Sequence, residues 1–276
     1  MSQKVYLKIK RRLVGLALVK SSAHLILWLW KYPFFICDYI RFTRMAGRGG
    51  RFPVRWRDFL PHLFDKTAKT EFDPHYTYHP AWAARIVAQL KPAKHIDISS
   101  ILHFSTLVSA FVPVEFYDYR PAEVRLDGLD CQRGDLLSLP FPDNSVESIS
   151  CMHTIEHVGL GRYGDPLDPD GDARAARELV RVAKPGGTLI FVVPVGKPRI
   201  QFNAHRIYSY EQVITLFAGM ELAEFSLVPD DFSRHGLIRN ANKGMVKDQY
   251  YACGCFWFVK SNPQSEITET AAEAKP

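Results

Sequence analysis

Residues 188–193 read Thr-Leu-Ile-Phe-Val-Val, a run without charge, glycine or proline. A strand of this kind is apolar on both faces, as happens when helices cover both sides of a parallel sheet. The chain around it alternates accordingly. Helical patterns at 80–90, 102–111, 172–183 and 209–217 interleave with β-like runs at 95–99, 114–118, around Cys131 and at 148–152. Pro92 and the Lys184-Pro185-Gly186-Gly187 stretch stop helices, and Ser209 with Gln212 forms a capping-box pattern. Strand and helix repeats of this size imply right-handed crossovers and parallel pairing in a three-layer α/β domain. The end of the chain differs. Runs at 221–228 and 253–259 have no helix between them and predict an antiparallel pair at the sheet edge.

Charge divides the chain into two parts. Residues 1–57 hold thirteen of the 35 Lys and Arg but one acid, Asp38, leaving 22 bases and 28 acids for the remainder. A basic arm on a mildly acidic body implies an anionic partner, which is a membrane surface or a nucleic acid. The arm's apolar stretches, 13–19 and 23–30, are interrupted by Lys20, Ser21, Ser22 and His24, short of the run of about 20 that spanning requires. No small-residue cleavage site follows, so it does not read as a signal peptide. Trp28, Trp30, Tyr32, Phe34 and Phe35 beside Lys and Arg predict an interfacial anchor, with a helical hairpin packed on the domain as the alternative. Nucleic acid is disfavoured because the aromatics cluster with Leu and Ile. The expected division is an arm at 1–57, an α/β domain at 58–260 and a disordered tail at 261–276. Five cysteines, mostly in apolar runs, predict reduced thiols in the cytoplasm. No Cys/His group has zinc-site spacing, and Cys253-x-Cys255 predicts two buried thiols on one strand face, so no metal is expected.

In an open parallel sheet, ligands bind beyond the carboxyl ends of the strands. Those ends carry Asp97, Ser99 and Ser100 after the first strand, Asp118 and Tyr119 after the second, Asp135 and Leu136 after the third, and His153, Glu156 and His157 after the fourth. An acid about 20 residues past the first turn suits the two ribose hydroxyls of a nucleoside, and Asp118 has that place. Asp135 suits an adenine amino group. His157 is the first candidate for a general base, with Glu156 as a second or as the group that orients its imidazole. Arg162 and Tyr163 in the loop 159–172, with His205 and Arg206 after the fifth strand, are candidate substrate-binding residues. The alternative for His205 and Arg206 is a salt-bridged loop. The acids of 159–172 lack the calcium-loop pattern and predict a polar loop with Asp172 as helix N-cap.

The stretches LPFPDNSVESISCMHTIEHV (139–158) and AARELVRVAKPGG (175–187) resemble the class I S-adenosylmethionine-dependent methyltransferases. FDPHY (72–76), HVGLGRYGD (157–165) and FNAHRIY (202–208) resemble a branch of unknown function from bacteria and nematodes, associated in bacteria with surface-polysaccharide gene clusters. The resemblance implies the Rossmann-like methyltransferase fold, with a mostly parallel seven-stranded sheet and an antiparallel edge pair, and S-adenosylmethionine as cofactor. It implies methyl transfer to a hydroxyl of a saccharide or lipid-linked glycan by a cytoplasmic protein peripheral to the membrane. The first loop departs from the superfamily, since Ser99 and Leu102 stand where glycines let the backbone approach the methionine moiety. Serine fits only with negative φ and its side chain turned away, and Leu102 and His103 threaten to crowd the loop. That departure keeps two other readings open: an inactive scaffold of glycan assembly, and a nucleotide-sugar transferase on the same fold.

Overall fold

The structure, a computed structural model, describes residues 3–47 and 50–262, and for 3–24 the backbone alone. The chain divides into two compact units, Met1–Glu71 and Phe72–Pro276. The charge division at residue 57 falls inside the first unit, because aromatic residues beyond it pack on the arm. That arm is one helix, α1 (Gln3–Ala46), which continues through Pro33 and makes no hairpin. The Phe59 ring meets the edges of Phe35 and Tyr39 at 4.8 and 5.6 Å, and Trp56 meets Tyr39 at 5.4 Å. Another set of apolar side chains on α1, among them Ile26, Leu29, Trp30, Phe34 and Phe42, stays exposed. Among the described residues no helix is long and apolar enough to cross a membrane. The tail expected at 261–276 lies outside the described residues from 263 onward.

The second unit is built on a seven-stranded sheet. Its strands are β1 (His95–Asp97), β2 (Val114–Asp118), β3 (Leu129–Arg133), β4 (Val146–Met152), β5 (Ala183–Val195), β8 (Met220–Val228) and β9 (Ala252–Lys260), in the spatial order β3-β2-β1-β4-β5-β9-β8. β9 runs antiparallel to both its neighbours, and the other pairs are parallel. This order, with one reversed strand next to the edge, defines the Rossmann-like methyltransferase fold expected from the sequence. The remaining strands, β6 (Arg199–Gln201) and β7 (His205–Ile207), form a separate antiparallel hairpin.

Alternation along β5 explains why that run carries no polar face. Leu189, Phe191 and Val193 pack with α4 (Gly171–Val182) and α5 (Tyr210–Leu216). Ile190 and Val192 pack on the opposite face with α2 (Pro74–Leu90) and α3 (Leu102–Val108). All five are fully buried, each worth about 1.5–3 kcal/mol relative to exposure. The capping box at Ser209 and Gln212 is present.

Two helix starts differ from expectation. α2 begins at Pro74, six residues before the predicted start, because Asp73 caps it by accepting from the Tyr76 N–H and Pro74 takes the first turn, where no N–H is needed. Asp172 lies inside α4 and is not its N-cap, because the Tyr208 hydroxyl and the Arg206 guanidinium engage its carboxylate.

Candidate functional site

A cleft of about 330 Å3 opens at the carboxyl ends of β1 to β4. Its wall at β1 comes from Ile98, Ser99 and Ser100, and its far side from Tyr117, Asp118, Tyr119 and Arg120. Gly134, Asp135, Leu136 and Leu137 form the β3 side, while His153, His157, Tyr163 and Asp165 close the rest.

The first loop has no glycine and needs none. Parallel pairing continues past β1, with Ile98 N–H donating to the Ser150 carbonyl at 2.8 Å and Ser100 N–H to the Met152 carbonyl at 3.0 Å. Neither Ser99, Ser100 nor Leu102 is among the residues with positive φ. The Ser99 side chain turns inward, donating to the Asp97 carboxylate and accepting from the Met152 N–H at 3.2 Å. Serine therefore keeps its side chain out of the cleft. Leu102 and His103 begin α3 and do not line the cleft.

Asp97 itself is corrected by the structure. It is fully buried, off the cleft, and its carboxylate accepts from the hydroxyls of Ser99, Ser105 and Ser150, the last at 2.5 Å. Burial pushes its pKa up to about 6 against those three hydrogen bonds. Beneath it, His95 lies 2.8 Å from the Ser148 hydroxyl and 2.9 Å from that of Ser150, and burial lowers the pKa of His95 to about 3. Asp97 thus shapes the loop from below and does not line the cleft.

Asp118 stands at the end of β2, and its Oδ1 accepts from the Arg120 N–H at 2.7 Å, which fixes the carboxylate at the cleft wall. Asp135 is held likewise by the Leu137 N–H at 2.9 Å, over buried Leu136. Gly134 is required between them, since a Cβ there would lie 2.9 Å from the Tyr117 Cβ. Carboxylates at two strand ends, an apolar floor and an extended serine loop fit a nucleoside with an aminoacyl tail, which is the shape of S-adenosylmethionine.

The opposite side carries imidazoles. His153 ends β4 with φ 52, a left-handed conformation that costs a non-glycine residue about 1–2 kcal/mol. Its Nδ1 lies 2.9 Å from Glu156 Oε1 and its Nε2 lies 3.6 Å from Cys253 Sγ. His157 donates from Nδ1 to the Ala204 carbonyl at 2.6 Å, which leaves the Nε2 lone pair free, 3.9 Å from Glu156 Oε1. Burial, with help from Arg162, lowers the pKa of His157 although Glu156 and the Ala204 carbonyl oppose this. Glu156 is buried and does not line the cleft, so its place is that of a partner to the two imidazoles.

Of the expected substrate residues, Tyr163 lines the cleft, edge-on to His157 at 5.7 Å. Arg162 instead donates to the Ala204 carbonyl at 3.1 Å. His205 sits behind His157, with 6.3 Å between ring centres. Arg206 takes the salt-bridged-loop alternative: it is buried, donates to the carbonyls of Val158, Asp168 and Pro169, and pairs with Asp172. The loop acids bind no calcium geometry. Asp165 accepts from the N–H groups of Gly159, Gly161 and Tyr163, and Asp168 pairs with Arg174.

Sequence spacing missed a second group of residues. His75, His153 and Cys253 bring their ligand atoms within 4.8 Å of one another, from α2, the end of β4 and β9. His75 stacks on His153 at 5.4 Å and on Tyr251 at 5.1 Å. The FDPHY stretch was the available signal, since it puts His75 on the first turn of a helix that begins at the sheet's carboxyl edge.

The family described as "Caenorhabditis protein of unknown function, DUF268" matches residues 143–237, about a third of the chain. No curated protein matches the sequence. Among solved structures, the N-methyltransferase NodS from Bradyrhizobium japonicum with S-adenosyl-L-homocysteine is similar at 12% identity and a TM-score of 0.48, over 70% of this chain and 90% of that one. An S-adenosylmethionine-dependent methyltransferase from Thermotoga maritima is similar at 19% identity and a TM-score of 0.45, over 68% and 92%. The YcgJ protein from Bacillus subtilis is similar at 16% identity and a TM-score of 0.46, over 66% and 99%.

Proposed function

We propose that this chain is an S-adenosylmethionine-dependent methyltransferase acting on a hydroxyl of a saccharide or lipid-linked glycan in surface-polysaccharide assembly. The observation that carries the reading is the open cleft with Asp118 fixed on one wall and the free Nε2 of His157 on another. Bound S-adenosylmethionine supplies an electrophilic methyl group on a sulfonium sulfur. Asp118 would accept from the ribose hydroxyls and Asp135 from the adenine amino group, with Leu136 as apolar surface for the base. Ser99 and Ser100 offer extended backbone to the aminoacyl end. His157 Nε2 would take the proton of an acceptor hydroxyl whose oxygen receives the methyl group, the sulfonium sulfur leaving as a thioether, and the Ala204 carbonyl fixes the tautomer this needs. Glu156, beside that imidazole, stabilises the imidazolium that results.

The saccharide class is supported by Tyr119, Arg120 and Tyr163 at the cleft: the Arg120 guanidinium lies 4.6 Å from the Tyr163 ring centre, and its N–H groups and the two phenol hydroxyls suit hydrogen bonds to sugar hydroxyls. The lipid-linked class is supported by α1, whose bases and exposed Trp30, Phe34 and Phe42 suit an anionic membrane surface. The test is transfer of a labelled methyl group from S-adenosylmethionine to extracted glycan and lipid-linked glycan fractions. Label in a hydroxyl-borne methyl ether, lost in His157→Ala, is expected. Label found only on amines, or undiminished in that variant, contradicts the reading.

A further inference from the structure

We propose that His75, His153 and Cys253 form a binding site for a zinc-class divalent ion, held by two ring nitrogens and one thiolate with a fourth position open. This does not rest on the methyl-transfer reading. The three residues arrive from separate elements, with ligand atoms no more than 4.8 Å apart. Around a tetrahedral zinc ion, bond lengths near 2.0 Å to nitrogen and 2.3 Å to sulfur put nitrogen and sulfur about 3.5 Å apart. His153 Nε2 and Cys253 Sγ already stand at 3.6 Å. A separation of 4.8 Å has to close by about 1.3–1.5 Å, within reach of side-chain rotation.

The surroundings supply what such an ion needs. Nδ1 of His153 donates to the Glu156 carboxylate at 2.9 Å, so Nε2 presents its lone pair toward Cys253. A carboxylate behind a ligating histidine is the usual arrangement that fixes the tautomer and raises ligand basicity. Glu156 is 1% exposed, and its Oε2 has no hydrogen-bond partner among the described residues. A dication on the far side of the imidazole offsets the charge of this buried carboxylate. Binding displaces the Cys253 thiol proton to solvent as the metal–sulfur bond forms. One sulfur and two nitrogens select zinc and its neighbours over magnesium or calcium, which take oxygen donors. His153 also lines the cleft, so an ion there stands at its wall and its fourth position is open to water or a ligand oxygen.

The experiment titrates the full-length chain, stripped with chelator under reducing conditions, with cobalt(II) chloride. One saturable equivalent is expected, with a thiolate-to-cobalt charge-transfer band in the near ultraviolet and the visible bands of tetrahedral cobalt. Zinc chloride displaces it. Cys253→Ser abolishes the charge-transfer band, Glu156→Gln weakens binding by about 10–100-fold, and Cys37→Ser, at an exposed thiol, changes nothing. X-ray absorption of the wild-type zinc form requires no variant to fold, and gives one sulfur with two imidazoles. No saturable band in the wild type, a band that survives Cys253→Ser in a folded variant, or a shell without sulfur overturns the proposal.

Discussion

Nδ1 of His153 lies 2.9 Å from Oε1 of Glu156, and both side chains are almost wholly buried. This contact holds the strained end of β4 in place. It puts one imidazole against the cleft and keeps the carboxylate 3.9 Å from the second imidazole, His157. The acid is thus shared between the wall of the cleft and its proposed base.

His157→Ala should lower kcat by about 10²–10⁴-fold and leave cofactor affinity near the wild-type value. The pH profile checks the base role separately. Burial lowers the pKa of His157 below 6.5, so the lone pair is present at neutral pH. The rate should be level around pH 7 and fall as pH drops through a value under 6.5. A rate that rises steadily through pH 8 argues for a different base.

If Ser99 were an imperfect glycine, Ser99→Gly would tighten cofactor binding. The structure predicts otherwise, because the backbone there is extended and the hydroxyl bonds Asp97 and the Met152 N–H. Ser99→Gly should cost about 1–2 kcal/mol of stability and give no gain in affinity, by chemical denaturation and titration.

Glu224 ties two elements beneath the site. It accepts from Trp82 on α2 at 2.8 Å, from Ser226 at 2.6 Å and from the Arg239 guanidinium. Burial raises its pKa, but these hydrogen bonds prevail and hold it at about 2. A depressed carboxyl stabilises the fold above its unfolded value of 4.5, and that contribution is lost as pH falls toward 2. Glu224→Gln should therefore cost about 2 kcal/mol at neutral pH and flatten the loss of stability between pH 4.5 and 2.

The α/β body was legible because its signals are local. The run at 188–193 could only be a strand covered on both faces, and the acids at 118 and 135 follow strands that ended where expected. The misassigned residues depend on distant partners. Asp97 looked like a ligand residue until Ser105 and Ser150, from α3 and β4, closed over its carboxylate. Arg206 left substrate binding and a salt-bridged loop both open, and only the carbonyls of the distant loop at 158–169 decide for the latter. Nothing local joins His75 to Cys253, since the sheet topology alone brings α2 beside β9.

Membrane attachment by the arm predicts that the full chain sediments with vesicles containing phosphatidylserine, weakly at high salt, and that removal of residues 1–57 abolishes it. Recovery in the supernatant at low salt argues against a membrane role for α1.

Calorimetric titration with S-adenosylmethionine and its demethylated product tests the central claim most directly. The account predicts one saturable site, lost in Asp118→Ala while the variant keeps its fold by circular dichroism. No heat of binding at millimolar ligand, or unchanged binding in the variant, would contradict a nucleoside site in this cleft.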